Sequence, residues 1–206
     1  MRILDCEQGS PEWHHARLGI PTASNFKLLY TSQGKPSASA VGYRHTLLAE
    51  RLLGAPTESY ESEWMKRGSE LEDEARQTYE YIQGIEVERV GVALRDDGRV
   101  GGSPDGLITN FDGEIVGGVE IKCPKAATHI SFMLKEKCPS AYIPQIQGNM
   151  YITGAKRWDL MSYYPGLEPL IVRVARDDEW IAGLEAVLGL FLRKLDEEFA
   201  RLKGGG

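Results

Sequence analysis

The hydrophobic period changes twice along this chain, and that limits the folds open to it. Helical spacing marks 40–53 (Val41, Leu47, Leu48, Leu52), stopped by Gly54-Ala55-Pro56, and then Trp64 to Tyr81, ending at Gly84. From Glu86 the period drops to two, and Val87, Val90, Val92 and Leu94 alternate as in a strand. Asp96-Asp97-Gly98 reads as a turn. Val100–Ile108 and Ile115–Cys123 predict two more strands around a turn at Asn110–Gly113. The stretch 140–152 looks helical, interrupted by Pro144. Trp158–Tyr164 and Leu170–Val174 read as late strands. Asp177–Leu202 is a long amphipathic helix carrying Trp180, Leu184, Leu188, Phe191, Leu195 and Phe199. This order predicts an α/β (α+β) domain with a central mixed β-sheet flanked by helices. The expectation is one domain over 1–203 and a flexible glycine tail over 204–206.

Charge narrows the partners. The net charge is −6, which argues against a broadly basic nucleic-acid coat but leaves room for an acidic metal site beside a local basic channel. Three scattered cysteines (Cys6, Cys123, Cys138) with no CxxC pair argue against a disulfide framework or a structural zinc, and suit a reducing cytoplasm. The early charges of Arg2, Asp5 and Glu7 are unlike a signal peptide, and no apolar run approaches a membrane span. No membrane partner is expected.

The stretch that carries chemistry is Gly102-Ser103-Pro104-Asp105-Gly106, followed a hairpin's length later by Val119-Glu120-Ile121-Lys122. Glu120 and Lys122 are two apart on a strand and share a face. A hairpin return brings Asp105 beside Glu120. Two converging carboxylates repel unless a positive charge lies between them, and a hard divalent cation such as Mg²⁺ or Mn²⁺ meets that need. The backbone carbonyl of Ile121 is placed as a further ligand. Lys122 adds a positive charge that orients or helps deprotonate a water, or stabilises charge on a phosphate. The bland alternative is a Pro-Asp-Gly turn and a solvated Glu-x-Lys face. Gly117-Gly118-Val119 and Cys123-Pro124 on either side favour a buried strand instead. Upstream, Glu70-Leu71-Glu72-Asp73-Glu74 reads as a solvated helix face. Glu72, however, lies next to the stripe of Leu71, Ala75 and Tyr79 and can reach the site.

These residues together resemble the phage lambda-type alkaline exonucleases, viral recombination nucleases of the PD-(D/E)XK superfamily. The similarity covers most of the chain: Glu12-Trp13-His14, Arg17 to Ile20, Thr22-Ala23-Ser24, 45–50, the helix at 68–76, Ser103 to Leu107, Glu120 to Pro124, Ala141-Tyr142 with Gln145-Ile146-Gln147, and the closing acidic helix. The resemblance implies a restriction-endonuclease-like PD-(D/E)XK core. It implies that Asp105, Glu120 and the Ile121 carbonyl bind metal, that Lys122 is the catalytic lysine, that Glu72 completes the active site, and that Gln145 lies near the attacking water. Arg17, Ser24 and Ser103 match residues that hold the terminal 5′-phosphate of DNA. On residues alone, Ser24 as a helix cap and Arg17 paired with a surface acid stay open. The implied activity is Mg²⁺-dependent 5′-to-3′ degradation of one strand of linear duplex DNA, using two ions, with Mn²⁺ as a substitute. It releases 5′-mononucleotides and leaves a 3′ overhang, with an alkaline preference. Also implied are double-stranded DNA ends as substrate, a homotrimeric ring, a single-strand annealing protein as partner, and a phage or prophage origin in a bacterial cytoplasm. The chain departs from the pattern at Thr128 or His129, where the family carries an arginine near DNA, and over 33–42. Two alternatives stand beside this reading: an endonuclease of restriction or repair type, and a non-catalytic DNA-end-binding module.

Overall fold

The computed structural model describes residues 1–57 and 63–204. Its elements in chain order are β1 (Arg2–Leu4), α1 (Pro11–Ala16), a 3₁₀ helix (Ala23–Leu28), α2 (Ala40–Leu53), α3 (Glu63–Gln83), β2 (Val92–Leu94), β3 (Gly101–Gly102), β4 (Gly106–Thr109), β5 (Ile115–Lys122), α4 (Ala126–Lys135), a 3₁₀ turn (Ser140–Tyr142), α5 (Ile143–Thr153), β6 (Arg157–Ser162), β7 (Leu170–Ala175) and α6 (Asp178–Gly204). Among the described residues, no helix is long and apolar enough to cross a membrane.

The mixed α+β architecture is as expected, but the strands form two sheets. An antiparallel sheet has the order β1-β2-β3, and a mixed sheet has the order β4-β5-β6-β7. Among the described strands, β5 and β6 are the pair that runs parallel. A parallel pair needs a long crossover, and α4 and α5 supply it. The predicted strand 100–108 is the point of division. It breaks at Ser103-Pro104-Asp105, leaving β3 in one sheet and β4 in the other. Proline has no N–H to give a ladder. The Gln8 side chain spans the break instead, donating its amide N–H groups to the carbonyls of Val90 and Pro104, both at 2.9 Å.

The predicted strand 86–94 shortens to Val92–Leu94, because Glu88 pairs alone with Leu107 ahead of a bend at Gly91. Pro144 does not interrupt a helix: it sits in the first turn of α5, where its missing N–H costs nothing. α4 has no counterpart in the sequence reading. α6 extends through Gly204, one residue into the expected tail, and 205–206 lie outside the described residues.

Three apolar clusters fix these parts. α2 and α6 close around the 3₁₀ helix with Phe26, Leu29, Leu47, Leu184, Leu188 and Leu195. Trp158, Leu107, Ile146 and Met150 bind α5 to the mixed sheet. Ala75, Tyr79, Val119 and Met161 bind α3 to its other side. Close approach is built in where α5 meets the 3₁₀ helix: a Cβ on Gly148 would lie 2.4 Å from the Phe26 ring. Tyr79 also donates to Asp159 at 2.8 Å, and Arg173 grips the same buried carboxylate at 3.0 and 3.1 Å. So α3, which carries Glu72, is anchored to the sheet two turns further on.

Candidate active site

β4 and β5 pair antiparallel, with Gly106 opposite Val119 as the last registered pair. One residue further, Asp105 comes beside Glu120, as the hairpin argument requires. Asp105 Oδ2 accepts from the Ile121 N–H at 2.6 Å. Lys122 gives its carbonyl to Tyr163 on the β6 side. Backbone groups alternate along a strand, so Ile121 faces the other edge, where β4 has ended. Its carbonyl is free to turn toward Asp105.

Glu120 is completely buried. Its Oε1 takes Lys122 Nζ and Gln145 Nε2, both at 2.5 Å, and its Oε2 takes Asn149 Nδ2 at 3.2 Å. Glu72 is half-buried on α3, 4.0 Å from Arg76. Burial, then the Asp105 charge, pushes the Glu120 carboxyl up to about 8 and that of Glu72 to about 7. Burial also raises Asp105, against the pull of Lys122. Burial works to lower the Lys122 ammonium, but Glu120 and Asp105 together hold it above its ordinary value. In this metal-free arrangement the two carboxylates favour the charged form of Lys122.

Among the described residues, no three His, Cys, Asp or Glu side chains are arranged to hold a metal ion by themselves. The donor chemistry nevertheless fits a hard divalent cation. Asp105 raises both Glu120 and Glu72 by its charge, and Glu72 raises Glu120. The shared deficit is one of positive charge among carboxylate oxygens.

The second cluster lies across the break. Arg17 follows α1 and donates from Nη1 to Ser103 Oγ at 2.8 Å, and from Nη2 to Ser24 at 3.4 Å and Thr22 at 3.5 Å. Trp13 Nε1 donates to the same Ser103 oxygen at 2.8 Å, and the guanidinium lies 4.1 Å above the Trp13 ring. Ser24 caps no helix: the 3₁₀ segment begins at Thr22 without a side-chain cap. Arg17 makes no ion pair among the described residues. Glu50, the nearest acid in charge terms, accepts from the Gly19 N–H at 2.9 Å. Burial pulls the Arg17 guanidinium below its ordinary value. A cavity of about 600 Å³ opens beside it, lined by Trp13, Arg17, Thr22, Asn25, Tyr43 and Glu50 among others.

Every sequence-derived site residue thus falls in one of two clusters: Asp105, Glu120, Ile121, Lys122, Glu72 and Gln145 in the first, Arg17, Ser24 and Ser103 in the second. Sequence reasoning missed Trp13 and Thr22 in the second cluster and Arg76 and Asn149 in the first. The available signal was helical spacing, since Arg76 lies four residues after Glu72 and Asn149 four after Gln145. The position at 128–129 is resolved by burial. His129 is fully buried between Ser162 Oγ (2.7 Å) and the Glu168 carbonyl (3.0 Å), so it holds the fold, and only Thr128 is exposed.

A YqaJ-like viral recombinase domain matches residues 12–156. The chain belongs to that family. Among solved structures it is similar to an alkaline exonuclease (LHK-Exo) from Laribacter hongkongensis, with 34% identity and a TM-score of 0.85 over 95% of this chain and 97% of that one. LHK-Exo in complex with dAMP matches at 35% identity and a TM-score of 0.84, with the same coverage. A phage-related exonuclease from Haemophilus somnus shares the fold at 14% identity, with a TM-score of 0.67 over 89% of this chain and 96% of that one. No curated protein matches. The fold is of the PD-(D/E)XK type.

Proposed function

We propose that this YqaJ-family protein is a divalent-metal-dependent 5′-to-3′ exonuclease that degrades one strand of linear double-stranded DNA to 5′-mononucleotides, leaving a 3′ overhang. The nuclease class rests on the family and on the likeness to an alkaline exonuclease. The polarity rests on the resemblance, which assigns Arg17, Ser24 and Ser103 to a terminal 5′-phosphate; in support, Ser103 of the Arg17 pocket and Asp105 of the acid cluster sit two residues apart on the same break. Two residues of extended chain span about 7 Å, the scale of a single nucleotide. A strand end held at Arg17 therefore offers its next phosphodiester to the acids.

Asp105, Glu120 and the Ile121 carbonyl would hold the cation, Mg²⁺ by preference with Mn²⁺ as substitute, with Glu72 completing the set and room for a second ion. When bound, the metal supplies Lewis-acid polarisation of the phosphate and a more acidic water. The protein's part is electrostatic. Lys122 stabilises charge gathering on the phosphate and orients the attacking water, and Gln145 fixes that water from the opposite element. Arg17, Ser24 and Ser103 clamp the terminal phosphate through a guanidinium and two hydroxyls. All of these contacts are to backbone groups of DNA, so no sequence readout follows. We place the protein in a bacterial cytoplasm as a phage or prophage product. It would act there as a single domain over 1–203 assembled into a homotrimeric ring, and hand its 3′ strand to a single-strand annealing protein.

A time course on linear duplex labelled at the 5′ or the 3′ end, beside a closed circle, tests this. Early mononucleotide from the 5′ label with the circle intact is the expected result. Cutting of the circle would replace it with an endonuclease, and no cutting at all with a binding module.

A further inference from the structure

Asn149 is 1% exposed and stands one helical turn after Gln145 on α5. Its Nδ2 reaches Glu120 Oε2 at 3.2 Å, while its Oδ1 has no hydrogen-bond partner among the described residues. In this orientation Nδ2 donates to Oε2 while Lys122 and Gln145 donate to Oε1, so both oxygens of the Glu120 carboxyl are held by donors. An amide buried with one end unsatisfied is retained for its other end. The oxygen end is packed against bare backbone: a Cβ on Gly102 would lie 2.8 Å from Asn149 Oδ1, 3.1 Å from Ile152 and 3.3 Å from Ala23. Gly102 precedes Ser103-Pro104-Asp105, so this contact ties the amide to the segment that carries the opposite carboxylate.

We propose that Asn149 is a positioning residue that pins Glu120 by Oε2, so that Oε1 alone trades its donors, Lys122 and Gln145, for a divalent cation, with Gly102 as the seat that keeps the amide in place. The inference rests on the metal-dependent reading above. Without Asn149 the Glu120 carboxylate can rotate, and the oxygen presented to the cation is no longer fixed. Outer hydrogen bonds of this kind typically change metal affinity about 10–100-fold.

The test is calorimetric titration of Mn²⁺ into DNA-free protein: wild type, Asn149→Leu, Asn149→Ala and Gly102→Ala, each with a metal-free thermal melt. The expected result is binding in the wild type and roughly tenfold or weaker affinity in the Asn149 variants. Gly102→Ala should fall between, and excess Mn²⁺ should restore DNA hydrolysis. A merely structural Asn149 would lower the metal-free melt and leave Mn²⁺ affinity untouched, which overturns the proposal. If Asn149→Leu does not fold, Asn149→Ala and Gly102→Ala decide in the same way. Absence of Mn²⁺ binding in the wild type would bring down the metal reading itself, a result distinct from equal binding by all four.

Discussion

The two clusters flanking the 103–105 break solve opposite electrostatic problems in opposite ways. Around Glu120 the protein has an excess of buried acid and offsets part of it internally, with Lys122, Gln145 and Asn149 on its oxygens. Around Arg17 it has a buried cation and supplies only hydroxyls and an indole, with no carboxylate in hydrogen-bond contact. Burying a lone charge is costly. The acid cluster can bear that cost in its metal-free state because its donors are covalently part of the fold. Among the described residues the groups that touch Arg17 are neutral dipoles and Glu50 acts on it only at longer range, so an arriving anion would supply its direct charge partner. One half is thus internally compensated and the other is preset for a ligand. A terminal phosphate suits the second half, and a cation displacing lysine and glutamine suits the first.

The sharpest way to break the contrast is to remove the internal compensation. Lys122→Ala leaves Glu120 without its cation and the reacting phosphate without its charge partner. Hydrolysis should fall by about 10²–10³-fold, in keeping with the loss of a preorganised transition-state donor, while metal-dependent binding of DNA ends persists. Normal cleavage by this variant in a gel time course would remove Lys122 from the mechanism. Arg17→Ala should have a smaller and more selective effect. Losing charge-assisted hydrogen bonds costs about 1.5–3 kcal/mol, or roughly 10–150-fold, and only on 5′-phosphorylated ends. Equal loss on 5′-hydroxyl ends would show that Arg17 supports the fold and binds no phosphate.

The acid cluster was legible in the sequence because its geometry is local. Asp105, Glu120 and Lys122 lie on one hairpin, and period-two alternation with antiparallel register fixes their relation. The Arg17 pocket was not legible from spacing, since Arg17 and Ser103 are 86 residues apart in sequence and meet only after two sheets separate. Resemblance, not pattern, singled them out. The split itself was missed because Val100 and Leu107-Ile108 were joined into one strand across Gly101–Gly106, which carries no apolar alternation. The cue was Pro104, whose missing N–H ends one ladder and begins another. Gly91 was missed for a related reason. A Cβ there would lie 2.3 Å from the Cys6 carbonyl, a long-range contact that bends the chain before β2. Asn149 looked like an ordinary helix residue, and only its burial against Glu120 gives it meaning.

The mildest effect expected is on pH dependence, and it separates the two clusters without any mutation. Glu72 and Glu120 have folded values pushed to about 7 and about 8, against ordinary carboxyls near 4.5. For such groups the metal-free folded state holds protons that the unfolded chain has released. Their contribution to stability is complete below about 4.5 and is lost as pH rises through 7 and 8. A bound cation takes the place of those protons. Its stabilising effect should therefore be small at pH 6, where it must displace them, and larger at pH 9, where the bare carboxylates repel. Thermal melts with Mg²⁺ and with chelator at the two pH values read this directly, and Glu120→Gln should shrink the difference. Sulfate at the Arg17 pocket should show a smaller dependence over the same range, because that anion does not titrate there and the groups touching Arg17 are hydroxyls and an indole. A cation shift equal at both pH values would mean that the ion binds elsewhere than at these carboxylates.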